Sequence, residues 1–175
     1  MVEIHTPRLR LLALNQKQLE QYLYSPHELE VELGFELAPI DPAGPVQRAI
    51  NIKISKMAQA AKDDHLWYTY WLIVPHQAPY GAGMIGFKGI PNLLGEAEIG
   101  YGIEPAFQSK GYMTEAARLL VEVRAAGSKP SRRVFHSAGV RREATTPPFQ
   151  TSASLSWLSA GSAAAQLLKA ARILS

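Results

Sequence analysis

The sequence predicts an α+β fold in which antiparallel strands lead through a glycine turn into a helix. Two segments rich in aromatic and branched residues, 66–74 and 81–90, are separated by a loop with two prolines, as in a hairpin. A third strand, Ala97–Ile103, alternates large apolar residues with small or acidic ones. The helix predicted over residues 112–126 carries an apolar stripe at three- and four-residue spacing. Strands that feed a helix in this way are typical of an α+β arrangement.

The elements before the hairpin are predicted from local signals. Residues 9–14 form an apolar run that predicts an opening strand. Asn15 can then cap a helix over Gln16–Tyr24, because its side-chain oxygen can accept a free backbone N–H of the first turn. Pro26–Leu33 predicts a second short helix, which begins at a proline and is ended by Gly34.

A longer helix is predicted over residues 45–62. Pro45 can occupy its first turn. Its apolar residues recur with the spacing of one buried face, and Lys53 falls on that same face.

Composition limits the chemistry that the chain can perform. With 175 residues and 47% hydrophobic residues, the chain is long enough for one domain with a core. It has no cysteine, which excludes disulfides and thiolate catalysis, and its five histidines show no short ligand spacing. We therefore expect no metal site. The start has no signal-peptide pattern and no apolar stretch reaches bilayer length, so we expect a cytoplasmic protein without membrane contacts.

The net charge of +3 is unevenly distributed along the chain. Residues 1–123 contain 10 Lys/Arg and 14 Asp/Glu, whereas residues 124–175 contain 8 Lys/Arg and one acid. The body is thus acidic and the tail basic, which argues against a nucleic-acid-binding face in the fold. We expect no nucleic-acid partner, although the basic tail leaves that class as a minor alternative.

The loop at residues 108–113 is predicted to bind an anion. A strand ends before it and a helix begins at Gly111, so unpaired backbone N–H groups converge where the helix dipole adds positive potential. Such a site suits a pyrophosphate. Gly111 allows close approach of the backbone, and Lys110 can add charge; the alternative for Lys110 and Arg118 is a solvated surface position.

The same loop resembles motif A of the GNAT superfamily of N-acetyltransferases, Gln-x-x-Gly-x-(Gly/Ala), with Met113 in the place of the last small residue. Segments 97–101 (AEIGY) and 110–116 (KGYMTEA) resemble the branch that includes the ribosomal-protein alanine acetyltransferases. Segments 5–11 (HTPRLRL) and 83–87 (GMIGF) are similar to strands of that branch. The resemblance covers residues 4–123 in order.

The resemblance implies a curved mixed β-sheet flanked by helices, with acetyl-CoA as the acetyl donor. In that family the pantetheine arm lies between two splayed strands, here against Gly102 and Ile103, as an added strand would. The residues that would bind the donor are Ile103, Gln108, Ser109, Lys110, Gly111, Tyr112, Met113 and Thr114.

The resemblance also suggests catalytic residues. Glu98 lies on the strand where relatives place a glutamate that removes the amine proton, and it is our candidate general base. The alternative is that Glu98 orients the amine or pairs with a basic neighbour. Glu96 is a weaker candidate, and we expect Glu104 to face solvent. Ser154 is the candidate that re-protonates the thiolate, its alternative being a loop hydroxyl.

Four aromatic residues lie in the predicted strand 66–74, namely Trp67, Tyr68, Tyr70 and Trp71. If they alternate along one strand, they either line an acceptor pocket or, as we favour, mostly belong to the core.

The family pattern ends near Val123. Residues 124–175 depart from it and form either a divergent or a frameshifted C-terminal part of the same domain, following the core of residues 1–123. Residues 139–146 are the candidate fifth strand of the sheet, and residues 163–174 predict a short helix. A missing strand would leave a sheet edge open, which favours a homodimer.

These features favour an N-acetyltransferase that transfers an acetyl group from acetyl-CoA to a primary amine, of a protein N-terminus or a small molecule, by direct attack in a ternary complex. The acidic segment around Glu28, Glu30 and Glu32 mildly favours a cationic acceptor. The alternative is a catalytically weak or inactive relative that keeps the fold and binds CoA.

Overall fold

The computed structural model describes residues 1–39, 44–93, 96–125 and 169–173, which form a β-sheet with helices on both faces. The strands are β1 Val2–His5, β2 Leu9–Ala13, β3 Glu36–Leu37, β4 Trp71–Pro75, β5 Tyr80–Gly81, β6 Gly83–Phe87, β7 Ala97–Ile103 and β8 Lys169–Ile173. The helices are α1 Gln16–Tyr24, α2 Pro26–Leu33, α3 Pro45–Gln59, α4 His65–Tyr68 and α5 Tyr112–Ala125. Short 3-10 turns occupy Lys62–Asp64 and Pro105–Phe107.

The main sheet has the strand order β1-β2-β4-β6-β7-β8, and each of these pairings is antiparallel. A second, two-stranded sheet pairs β3 with β5 in parallel. In the main sheet β6 lies beside β7 with Gly83 opposite Ile103 and Phe87 opposite Ile99. The predicted α+β fold is confirmed, and β7 leads into the glycine turn and α5 as expected.

The two faces of the sheet bury separate hydrophobic clusters. On one face Leu12, Leu72 and Val74 pack against α1, α2 and α3. On the other face Leu11, Ile73, Ile85 and Ile99 pack against α5. Because side chains alternate along a strand, Ile99, Tyr101 and Ile103 face α5, whereas Glu98 and Glu104 lie on the face of α1–α3.

The first helices begin and end where the sequence predicts. Asn15 caps α1 through its Oδ1 atom, which accepts from the Gln18 N–H at 2.9 Å, while Gln18 Oε1 accepts from the Asn15 N–H at 3.0 Å. This reciprocal pair satisfies two N–H groups that a helix start leaves open. Gly34 ends α2 in the left-handed conformation, with φ 78°. The third helix is three residues shorter than predicted, and Lys53 lies on its buried face as expected.

The prediction of one strand over residues 66–74 is wrong in its first half. Residues 65–68 form the short helix α4, and the strand begins only at Trp71. Trp67 packs tilted against Phe87, with 4.8 Å between ring centroids, and the Arg124 guanidinium lies 3.9 Å from the Trp67 ring centre. These long-range contacts outweigh the strand propensity of the aromatic residues. The four aromatic residues therefore do not share one strand, and Tyr70 and Trp71 belong to the core.

The helix predicted over residues 163–174 is also wrong where the structure describes it. Residues 169–173 form β8, which pairs with β7 from Ala97 to Tyr101. The open edge of β7 offers a ladder of hydrogen bonds that local helix propensity does not. The candidate fifth strand at residues 139–146 and the candidate acid Ser154 lie outside the described residues.

In the part of the chain that the structure describes, no helix is long and apolar enough to cross a membrane.

Candidate functional site

The chain reverses direction between β7 and α5 through two residues in the left-handed conformation. Ser109 has φ 60° and Gly111 has φ 76°. The first hydrogen bond of α5 runs from the Glu115 N–H to the Gly111 carbonyl at 3.1 Å. The backbone N–H groups of residues 112–114 consequently precede the helical ladder and face the loop. A helix N-terminus of this kind is suited to binding an anion, and the anion site itself stays a prediction.

Gln108 and Lys110, two of the predicted donor-binding residues, make contacts within the loop. The Gln108 Nε2 atom donates to the Ile103 carbonyl at 3.1 Å, so that this side chain fixes the end of β7 to the loop. The Lys110 side chain is exposed, and its Nζ atom lies 5.2 Å from the centre of the Phe107 ring. Gln108 thus shapes the loop, while Lys110 supplies a mobile charge beside it.

Arg8 is the residue of this site that the sequence analysis missed. It lies in the turn between β1 and β2, and its Nη2 atom is 2.6 Å from Glu115 Oε2. The Arg8 Nη1 atom donates to the Lys110 carbonyl at 2.9 Å, and the guanidinium lies 5.0 Å from the centre of the Tyr112 ring. One side chain therefore joins the loop to the first turn of α5. The signal was present in the segment 5–11 of the resemblance, where Arg8 had been given no role.

The described part of the chain covers the outer edge of β7 only in part. Among the described residues, β8 pairs with β7 as far as Tyr101 and leaves Gly102 and Ile103 beyond its end. The Glu104 N–H donates to the Ala82 carbonyl next to β6, and the Glu98 carbonyl accepts from the Lys88 N–H on the same side. The even-numbered residues of β7 therefore direct their backbone groups toward β6. By alternation the Ile103 N–H points to the outer edge. An edge with this orientation is suited to pairing with a further extended segment, and the role of Ile103 in donor binding stays a prediction.

Glu98, the candidate base, lies on the α1–α3 face of β7. Its Oε1 atom is 2.5 Å from Lys88 Nζ, and the two side chains are 46% and 48% exposed. The carboxylate therefore has the basic partner that the sequence analysis named as the alternative to a catalytic role. The weaker candidate, Glu96, is half-buried, and its Oε2 atom accepts from Asn92 Nδ2 at 3.0 Å.

A cleft of about 510 Å³ opens beside Glu98. It is lined by Lys56, Gln59, Tyr68, Lys88, Ile90 and Glu98, and we call it the Glu98 cleft. Next to it Lys53 is buried, donates from Nζ to the Phe87 carbonyl and lies 4.4 Å from the centre of the Tyr70 ring. Burial, together with the nearby charges of Lys56 and Lys88, lowers the pKa of Lys53 to about 7. The cleft thus lies in a region of positive charge.

Glu104 does not face solvent, so that expectation is wrong. The residue is half-buried and its Oε2 atom is fully buried. Burial, the hydrogen bond with Glu104 and the charges of Glu104, Glu36 and Glu30 raise the pKa of Tyr80. Tyr80 also stacks on Phe107, with 5.6 Å between ring centroids. The parallel pairing of β3 and β5 brings these groups to the end of β7 and covers the carboxylate.

The described residues contain no group of three or more His, Asp or Glu side chains that could hold a metal ion.

Two comparisons with known proteins gave matches for this chain. The sequence model of the family described as acetyltransferase (GNAT) domain matches residues 8–141, which includes both the loop and the Glu98 strand. A protein of Bacillus subtilis (strain 168), named uncharacterized N-acetyltransferase YjdG, is 30% identical over 127 residues, covering 69% of this chain and 71% of the relative. No solved structure shows a significant match.

Proposed function

The chain belongs to the GNAT superfamily and is an acyltransferase, and from this premise we propose that it transfers the acetyl group of acetyl-CoA to a primary amine. The observation that carries the proposal is the loop at residues 108–113, where Ser109 and Gly111 turn the chain so that free N–H groups of α5 face one point. A pyrophosphate fits this arrangement because it accepts several hydrogen bonds at the positive end of a helix.

The donor is bound in two parts in this proposal. The pyrophosphate lies against the N–H groups of Tyr112, Met113 and Thr114, and Lys110 adds charge. The pantetheine arm extends along the outer edge of β7, where the Ile103 N–H is directed. Gln108 contributes indirectly, since its side chain holds the Ile103 carbonyl and the loop together.

The transfer proceeds by direct attack. The neutral amine nitrogen forms a bond to the thioester carbonyl carbon, the carbon–sulfur bond breaks, and CoA leaves as a thiolate. Glu98 receives the proton of the amine, and the thiolate takes a proton from an acid, for which Ser154 is the candidate. Glu98 must first give up the ion pair with Lys88. An exposed pair of this kind contributes at most about 1 kcal/mol, so exchange with an incoming amine is accessible.

The branch resemblance places the acceptor among protein N-termini or small amines. The segments 97–101 and 110–116 favour the branch of the ribosomal-protein alanine acetyltransferases, whose acceptor is a protein N-terminus. Glu30 and Glu36 lie near Tyr80, and their negative charges favour a cationic group of the acceptor at that end of the α1–α3 face.

One observation favours a second candidate, a CoA-binding relative with weak catalysis. The Lys88 ammonium already contacts the Glu98 carboxylate, so this carboxylate has to exchange its partner before it can receive the proton of an amine.

A free-thiol release assay with acetyl-CoA and a panel of primary amines tests both candidates. We expect CoA release that depends on the amine and exceeds the hydrolysis rate without it. Equilibrium binding of acetyl-CoA is measured in parallel. Binding without amine-dependent release would identify the weakly catalytic relative, and failure to bind acetyl-CoA would overturn both.

A further inference from the structure

The Glu98 cleft opens beside the Glu98 carboxylate on the α1–α3 face. Lys56 enters it from α3, and Lys88 follows β6 at the opposite wall. Tyr68 and Ile90 add apolar surface. Among the described residues that line the cleft, Glu98 is the only acid, so two ammonium groups accompany one carboxylate.

The two lysines have fixed positions. The Lys56 Nζ atom donates to the Lys88 carbonyl at 2.8 Å. The Lys88 N–H donates to the Glu98 carbonyl at 2.8 Å, while Lys88 Nζ contacts the Glu98 side chain. Both lysines therefore border the Glu98 cleft, and the Lys56 side chain contacts the main chain of Lys88. An ammonium has three donors, so each lysine can bind an anion besides the oxygen that it already contacts.

We infer that the acceptor is a primary amine that carries a carboxylate close to its amino group, with the amine at Glu98 and the carboxylate between Lys56 and Lys88. The inference rests on the proposed function, because it takes Glu98 as the group that receives the amine. A zwitterionic acceptor matches the existing Lys88–Glu98 pair: its amino group replaces the lysine at Glu98, and its carboxylate replaces the glutamate at Lys88.

The exchange conserves charge-assisted hydrogen bonds. Lys88 loses one carboxylate and gains another, and Lys56, which has a carbonyl oxygen for its partner, gains a carboxylate. An amine without a carboxylate would leave Glu98 as the one anion in the described lining of the cleft, shared between Lys88 and the amine. The pKa of the neighbouring Lys53 is lowered first by burial and then by the charges of Lys56 and Lys88, so both lysines disfavour a further positive charge there.

A peptide N-terminus lacks this feature, since its first carboxyl group is consumed in the peptide bond. The inference accordingly favours a free amino acid over a protein N-terminus as the acceptor. It also assigns the positive charge of the cleft a role in specificity rather than in donor binding.

The test compares alanine, alaninamide and an alanine-initiated tripeptide amide as acceptors in the thiol release assay. Alaninamide has the same shape, and its amino group loses a proton more readily because no carboxylate is nearby. Intrinsic reactivity thus favours the amide, and a preference for alanine must arise from binding. We expect kcat/KM for alanine to exceed that for the two amides about tenfold, as for one charged hydrogen bond.

Two variants test whether Lys56 and Lys88 cause the preference for alanine over alaninamide. In Lys56→Gln and in Lys88→Gln the ratio between alanine and alaninamide should fall to about one, mainly through a higher KM for alanine. Lys17→Gln, which removes an exposed lysine on α1, is the matched control and should keep the wild-type ratio. A ratio that survives in both cleft variants would overturn the assignment of the carboxylate to these lysines.

Calorimetric titration of alanine and alaninamide into the protein with CoA separates this inference from the enzyme proposal. Turnover of both compounds at equal efficiency contradicts the inference and leaves the proposed function standing. Tighter binding of alanine without turnover supports the inference and contradicts the catalytic role of Glu98. Absence of both alanine binding and alanine turnover contradicts the inference.

Discussion

Arg8 and Glu115 lie 107 residues apart in the chain and form a direct ion pair, with 2.6 Å between Arg8 Nη2 and Glu115 Oε2. The Arg8 Nε atom donates to the same carboxylate oxygen at 2.7 Å. Since Arg8 also holds the Lys110 carbonyl, it fixes the loop relative to the helix whose N–H groups face it. The β1–β2 turn is therefore part of the proposed donor site without needing to touch the donor.

Replacing Arg8 by lysine tests this positioning role. Arg8→Lys keeps the charge but removes the planar fork that contacts Glu115 and Lys110 together. We expect KM for acetyl-CoA to rise about three- to tenfold while kcat changes little, since a disordered loop weakens binding before chemistry. The control is Arg118→Lys, because Arg118 is exposed and lies on α5, the helix that carries Glu115. Equal KM values for acetyl-CoA in the two variants would show that the contacts of Arg8 with Glu115 and Lys110 do not affect the donor site.

Substitutions at Gly111 and Gly34 separate the effect of backbone strain on stability from an effect on donor binding. The Gly111 φ of 76° is unfavourable for a residue with a side chain, so Gly111→Ala should lose about 1–2 kcal/mol of stability. The added Cβ would lie 3.4 Å from Arg8 Nη2, in van der Waals contact with the side chain that joins the loop to α5. Gly34 has nearly the same φ, 78°, at the end of α2 with open space around it. Gly34→Ala is therefore a matched control for the strain alone.

We expect both glycine variants to unfold at lower urea concentration by similar amounts, and only Gly111→Ala to bind acetyl-CoA more weakly. About a tenfold rise in the dissociation constant corresponds to ~1.4 kcal/mol. Calorimetric titration measures it under conditions where each variant is folded. Similar affinity in Gly111→Ala and Gly34→Ala would contradict the assignment of the loop to the donor.

Sequence predicted those features whose determinants lie close together in the chain. The start of α1 depends on Asn15 and Gln18, which are three residues apart, and the end of α2 depends on Gly34 alone. The glycine loop is equally local, because Gly111 and the first turn of α5 define it. Such signals remain valid whatever the rest of the fold does.

Features that depend on distant partners were missed or misassigned. Trp67 is in a helix because of Phe87 and Arg124, and no pattern within residues 66–74 contains that information. Glu104 is covered because β3 and β5 pair beside it, which a strand pattern cannot anticipate. The sequence predicted which residues carry charge at the site, but the pairing of those charges required the register of the sheet.

Glu98→Gln tests the base. The amide cannot accept a proton, and we expect kcat to fall about 10²-fold while the affinity for acetyl-CoA stays the same. The loss should shrink as the pH rises, because the amine then reaches its neutral form without a base. Glu96→Gln, two residues earlier on the same chain segment, is the competing assignment and should keep most of the activity. If Glu96→Gln is the variant that loses kcat, the base has been misassigned.

Lys53 predicts how stability depends on pH. Its pKa is about 7 in the folded protein because of burial and of Lys56 and Lys88, whereas an unfolded lysine holds its proton up to ~10.4. Between these values the unfolded chain binds the extra proton, so the free energy of unfolding rises with pH through this window. Tyr70, whose ring faces Lys53, has its pKa raised to about 12 by burial and stays neutral there.

Lys53→Met removes the titrating group and keeps a flexible side chain of similar length. Urea unfolding between about pH 7 and pH 9.5 should show wild-type stability rising relative to the variant, as linkage to the depressed pKa requires. Lys17→Met, at an exposed position, should follow the wild-type curve. The Phe87 carbonyl loses its donor in Lys53→Met, which costs stability at every pH and shifts the whole curve without changing its slope. The slope difference is thus the decisive quantity, and parallel curves for wild type and Lys53→Met would show that Lys53 keeps its ordinary pKa in the fold.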